Sequence, residues 1–100
     1  MVQMDKRLKK IREKIDAIDR EIMGLLNKRM ELSARSRELK DKTADPGREG
    51  EVFSNVEHLS YPFVDAGFSK RLYREIIDES RRVQEGKTFK IPARREKGLK

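Results

Sequence analysis

The sequence contains no cysteine, which excludes disulfides and thiolate metal sites and fits a reducing compartment. Tryptophan is also absent and aromatics make up only 6%. That is poor material for a platform on which the bases of single-stranded nucleic acid could stack. No apolar run approaches the roughly 18 residues of a membrane span. Met1-Val2-Gln3-Met4-Asp5-Lys6 has no apolar stretch behind it to act as a secretion signal. The expectation is a cytoplasmic protein without a membrane partner. At 100 residues it makes one domain at most. With 35% hydrophobic and 43% charged residues its core is lean, and small domains bury the least surface per residue.

What the chain has in abundance is positive charge, a net +7, which invites a nucleic-acid reading. The distribution argues against it. Residues 87–100 carry six Lys/Arg and one Glu, a net +5, while residues 1–86 hold 19 basic and 17 acidic side chains. Most of the excess therefore sits in a tail with Pro92, Gly98 and no periodicity. We expect a helical domain over 1–86 and a solvated, mobile C-terminus over 87–100, with no nucleic acid as partner.

Apolar spacing marks three helices and no strand, an all-α fold. The first runs from about Asp5 to about Lys40. Met4, Leu8, Ile11, Ile15, Ile18, Ile22, Leu25, Leu32 and Leu39 follow a 4-3 heptad rhythm in which Arg29 and Ser36 fill two slots. Only Gly24 weakens it. The second helix should start at Asp45-Pro46, with Asp as cap and Pro at the first helical position. It presents Val52, Phe53, Val56 and Leu59, and ends at Ser60-Tyr61-Pro62. The third should run from about Asp65 to about Glu85, with Phe68, Leu72, Tyr73, Ile76, Ile77 and Val83 inward and Gly86 as its stop.

A 36-residue helix spans about 54 Å, whereas a compact 100-residue globule is about 35 Å across. The first helix would overhang any core that the other two could build, with its seam still apolar. A second copy of the chain is the expected cover, since two-fold homodimers dominate among soluble oligomers.

Several polar residues occupy positions where the pattern asks for apolar ones. Arg29 and Ser36 take core heptad slots, and Lys40 returns to within about 20° of the face of Arg29. Glu49 is in register with Val52, Phe53 and Val56. Ser80 and Gln84 follow Ile76 at one-turn intervals. Each alone has a plain structural explanation, an Arg as a register device or a Ser as a satisfied core hydroxyl. Together they imply more. An unpaired buried ion costs several kcal/mol, and Glu49 alone cannot neutralise Arg29, Lys40 and the adjacent Arg48. A small acidic ligand with more than one carboxylate would. Arg29 and Lys40 lie about 16 Å apart along the axis, within reach of a ligand between them. Arg12 is about 25 Å from Arg29 and about 42 Å from Lys40. If Arg12 joins that site, it comes from the partner chain.

These residues resemble a known family. Ile11-Arg12-Glu13-Lys14-Ile15-Asp16-Ala17-Ile18-Asp19, then Leu25-Leu26-Asn27-Lys28-Arg29, then Lys40, resemble the first helix of the all-α chorismate mutases. Asp45-Pro46-Gly47-Arg48-Glu49 resembles the D-x-x-R-E motif that opens their second helix. Ile76-Ile77-Asp78-Glu79-Ser80 with Gln84 resembles their I-I-x-x-S-x-x-x-Q end. The resemblance implies an intertwined homodimer with two active sites and no cofactor or metal, rearranging chorismate to prephenate in phenylalanine and tyrosine biosynthesis. It implies that Arg12 of the partner chain and Arg29 hold the two carboxylates. Lys40 and Gln84 donate to the ether oxygen, Glu49 and the backbone of Asp45 hold the ring hydroxyl, and Arg48 and Ser80 complete the polar lining.

The residue types suit that reaction, which is unimolecular and pericyclic and needs no nucleophile or proton transfer. It asks for positioning and for charge stabilisation at one oxygen. His58, the only histidine, is expected on the surface near the end of helix two. Three features depart from the family pattern. The join from Lys40 to Asp45 is short by about one helical turn. Arg81 falls where an apolar wall is expected. Gly47 and Gly50 flank the D-x-x-R-E motif, so the start of helix two is expected to be loose before ligand binds. Two other functions compete: an isochorismate-pyruvate lyase of the same fold, and a non-catalytic helical interaction module with a basic tail. Glu49 and the motif set favour the mutase.

Overall fold

The computed structural model describes residues 5–40, 45–59 and 61–86. Within them the chain forms α1 (Lys6–Arg37), α2 (Pro46–Glu57) and α3 (Ala66–Gln84). There is no strand among the described residues, only an isolated bridge between Tyr61 and Val64 in the α2–α3 turn. Met4, Ser60 and the basic tail fall outside the described residues, as does most of the short join after Lys40. No helix among those described is long and apolar enough to cross a membrane.

The helix ends follow local chemistry. Asp5 accepts the Arg7 backbone N–H at 2.7 Å and pairs with its guanidinium at 2.9 Å. The Arg7 guanidinium, and then its backbone N–H, hold the Asp5 carboxyl below the usual carboxylate range. At the other end α1 closes at Arg37, one turn short of the expected Lys40. The Glu38 and Leu39 N–H groups step back only three residues, to Arg35 and Ser36, the tightening that terminates many helices. Lys40 lies beyond the helix, and its carbonyl accepts from the Arg37 guanidinium at 2.7 Å.

Asp45 caps α2 by accepting the Arg48 N–H at 3.1 Å, with Pro46 in the first turn as expected. The helix is formed across Gly47 and Gly50. Asp65 does the same for α3, accepting the Phe68 N–H at 2.8 Å. Gly86 stops α3 in the left-handed region at φ 70°, with its N–H on the Val83 carbonyl at 3.1 Å. That conformation costs an L side chain about 1–2 kcal/mol, which is why glycine suits it.

The chain divides into two compact units, residues up to Leu32 and residues from Ser33 onward. The first is a rod of α1. None of its described residues is buried, and Leu8, Ile11, Ile15, Ile18, Ile22, Leu25 and Leu32 all expose the heptad seam to solvent. The second holds the last turn of α1 with α2 and α3. Its apolar core is Val52 and Val56 of α2 against Ile76 and Ile77 of α3. Two ion pairs hold these helices antiparallel, Lys70 to Glu57 at 3.0 Å near the connecting turn and Arg81 to Glu49 at 2.6 Å at the far end. Phe68, Leu72 and Leu59, expected inward, are exposed. Their positions share the apolar stripes of the two helices, but the α2–α3 contact is too narrow to cover those stripes. Phe53 is half-buried, with the Arg74 guanidinium 5.9 Å from its ring centroid, a cation–π distance.

This core predicts where stability resides. Ile77→Ala should lower the unfolding free energy by about 2–4 kcal/mol, the range for large-to-small core changes. Asp65→Ala should cost about 1 kcal/mol through loss of the cap. Denaturant titration measures both; an Ile77→Ala variant as stable as the parent would place the core elsewhere.

Candidate active site

In the second unit, one end of α3 carries a short run of polar groups. Ser80 is buried, Arg81 and Gln84 half-buried. Successive helical residues are 100° apart, so Ser80 and Gln84 share one face while Arg81 points off to the side. The two directions meet different partners.

Ser80 and Gln84 meet the last turn of α1. The Ser33 and Ser80 hydroxyls are in direct hydrogen-bonding contact. The Gln84 amide Nε2–H donates to Ser33 Oγ at 2.7 Å and lies 3.4 Å from Ser80 Oγ. The Gln84 carbonyl Oε1 is buried without a protein partner, an arrangement that costs free energy unless a donor reaches it. Both serine hydroxyls can turn to donate or accept. They can therefore serve the Gln84 amide in either orientation, with Oε1 or Nε2 turned towards a ligand.

Arg81 meets α2. Its Nε–H and Nη2–H donate to the two carboxylate oxygens of Glu49 at 2.8 and 2.6 Å, the bidentate geometry in which a guanidinium binds a carboxylate best. The bonds to Glu49, and then its charge, raise the Arg81 pKa above the ordinary arginine value. A cation whose pKa is raised on folding stabilises the fold at every pH below its unfolded pKa and loses that contribution only in strong alkali. Arg81 is therefore charged throughout any working range.

The remaining sequence candidates are placed as follows. Lys40 is half-buried, just past the end of α1. Asp45 is exposed and serves as the α2 cap, with its backbone carbonyl accepting from the Glu49 N–H at 3.0 Å. Arg48 is exposed and pairs with Glu51 at 3.1 Å. Ser36 is exposed and returns its hydroxyl to the Ser33 carbonyl at 2.7 Å; it is not the core polar group that the heptad pattern suggests. In the first unit, Arg12 is exposed and Arg29 half-buried. His58 is exposed, as expected, with its Nδ1–H on the Ser54 carbonyl at 2.7 Å. Among the described residues no group of three or more His, Asp or Glu is placed to hold a metal ion.

The structure thus brings Ser80 and Gln84 together, and it places Glu49 on Arg81, on an adjacent face of the same end of α3. Two residues join them that the sequence did not single out as part of the site. Ser33 lies seven residues before Lys40, nearly two full turns of helix, but Leu32 takes the heptad slot beside it and a helical serine draws no notice. Arg81 stood out only as a charge where an apolar wall was expected, with nothing local to name its partner 32 residues away.

Comparison with known proteins fits this arrangement. A family model described as chorismate mutase type II matches residues 11–85. A bifunctional chorismate mutase/prephenate dehydratase of Aquifex aeolicus (strain VF5) is 38% identical over 78 residues, a match that takes in 70% of this chain and 22% of that protein. The chain therefore spans only about a fifth of that relative's length. Among solved structures, it is similar to the crystal structure of chorismate mutase from Helicobacter pylori in complex with prephenate. That similarity has a TM-score of 0.76 at 29% identity and covers 86% of this chain and 100% of the other. Since the family match runs from the first third of α1 to the residue after α3 and includes every candidate site residue, this chain belongs to the chorismate mutase type II family.

Proposed function

We propose that the protein rearranges chorismate to prephenate. The observation that carries this reading is the polar end of α3, Ser80 and Gln84 against Ser33, inside a family match that also contains Arg12, Arg29, Lys40 and Glu49. The similar Helicobacter pylori enzyme was solved with prephenate bound, which supports a dianion of that shape as the ligand.

The reaction breaks an ether C–O bond while a C–C bond forms within the same molecule. No group is transferred to the protein. The protein's task is to hold a flexible dianion in its reactive chair and to stabilise the negative charge that grows on the ether oxygen. Arg12 and Arg29 bind the carboxylates. Lys40 supplies a cation and Gln84 an amide N–H to the ether oxygen, while the Ser33 and Ser80 hydroxyls, which can donate or accept, satisfy whichever amide atom is turned away from the ligand. Glu49 accepts from the ring hydroxyl. Two hydrogen bonds to Arg81 leave its carboxylate lone pairs for that purpose, since a carboxylate offers about four acceptor sites. Asp45 holds the start of α2, and Arg48 contributes positive potential from the surface.

The working unit is a homodimer. A single rod with a solvent-exposed apolar seam is a poor structure on its own, because helical stability in proteins comes mostly from packing an apolar face. A second copy covers that seam with an identical heptad pattern. Arg12 then serves the partner's site, since it lies about 25 Å from Arg29 along its own helix. A cysteine-free sequence suits the reducing cytoplasm.

Two experiments test this. Lys40→Ala should lower kcat far more than it raises KM, by the equivalent of about 2–4 kcal/mol, because the Lys40 charge acts mainly when the ether oxygen becomes negative. A rise in KM with kcat unchanged would remove Lys40 from that role. Arg12→Ala and Arg29→Ala should each be nearly inactive alone. Unfolded together and refolded as a mixture, they should recover about a quarter of wild-type activity, because half the dimers are mixed and each mixed dimer keeps one intact site. No recovery in verified mixed dimers would mean that Arg12 is not shared.

A further inference from the structure

The Arg81–Glu49 pair has a consequence for ligand affinity. Glu49 sits on the inner face of α2, in register with the buried Val52 and Val56, and its side chain is only 21% exposed. The proposed function puts this carboxylate against a substrate that carries two carboxylates of its own. An uncompensated, largely desolvated anion there would repel the substrate, since charge–charge energies grow as water is excluded. It would also be free to rotate away from the position in which it can accept a hydroxyl. Arg81 removes both difficulties. Its planar fork occupies both Glu49 oxygens, at 2.8 and 2.6 Å, which cancels the charge and fixes the rotamer. Lysine could cancel the charge but could not hold both oxygens in one plane.

Resting on the chorismate mutase reading, we propose that Arg81 is a positioning residue that sets substrate affinity through Glu49, neutralising and orienting that carboxylate so that the site can admit a dianion. It acts without touching the substrate. The residue beside it in sequence, Ser80, faces Ser33 and Gln84, so the same turn of α3 organises both the ether-oxygen donor and the hydroxyl acceptor.

The test is a double-mutant cycle on the full chain. Arg81→Ala, Glu49→Gln and the combined variant are assayed with chorismate for kcat and KM, and prephenate affinity is measured by calorimetry. Arg81→Ala should raise KM about tenfold, as expected for one uncompensated charge near the ligand, with kcat changed less than about threefold. In the Glu49→Gln background the same change should have almost no effect on KM, because no charge remains to be neutralised. Arg81→Lys should recover part of the loss.

A structural role alone would lower Tm in both backgrounds and leave this pattern absent. Equal KM penalties in both backgrounds would mean that Arg81 contacts the substrate itself and would overturn the proposal, as would an unchanged KM in Arg81→Ala. If Arg81→Ala does not fold, Arg81→Gln takes its place in the cycle. A wild-type protein that neither consumes chorismate nor binds prephenate would overturn the functional reading and this inference with it; an active wild type without the KM coupling overturns the inference alone.

Discussion

The polar turn at the end of α3 is the constraint on which the second unit of the structure depends. Three residues within five positions, Ser80, Arg81 and Gln84, send hydrogen bonds in two directions. One set reaches the last turn of α1 through Ser33, the other reaches α2 through Glu49. The apolar core between α2 and α3 amounts to four buried side chains, which brings the helices together but offers little to fix their axial register. Paired hydrogen bonds are directional where apolar contact is not. The polar turn therefore sets which residues face one another, and the residues it positions are ones the proposed chemistry uses.

The first unit is built on a different principle. It is a heptad rod whose apolar seam is satisfied by nothing in its own residues. In water such a rod is marginal, and nucleating and holding it calls for an apolar partner surface. In the proposed dimer, folding and completion of the site become one event. The rod gains its cover from the second chain, and the same association delivers Arg12 to a site it cannot serve along its own helix. Stability and activity would then rise and fall together with protein concentration.

How much of this was legible in the sequence depended on the range of each interaction. The three helices were legible because heptad and 3.6-residue spacings are written locally. So were the Asp45 and Asp65 caps and the Gly86 stop, each decided by one side chain and its nearest backbone. Ser80, Gln84 and Glu49 could be picked out as polar groups on apolar faces. What those groups touch could not. The partner of Glu49 depends on how α2 and α3 align across 32 residues, and that of Gln84 on the last turn of α1 across 51. The same limit explains one misreading. Ser36 looked like a core polar group but bonds back to its own helix.

Within this account Arg81 is no exception to an apolar wall; it is the counter-charge that lets a carboxylate stand beside an anionic ligand. The most direct measurement is a turnover assay of the purified wild-type chain with chorismate and, separately, with isochorismate, the products identified by mass spectrometry and magnetic resonance. The expected result is conversion of chorismate to prephenate as the sole product, with no added metal or cofactor and with little or no release of pyruvate from isochorismate. Efficient pyruvate release from isochorismate with chorismate left intact would make the protein a lyase on a mutase fold and would contradict it.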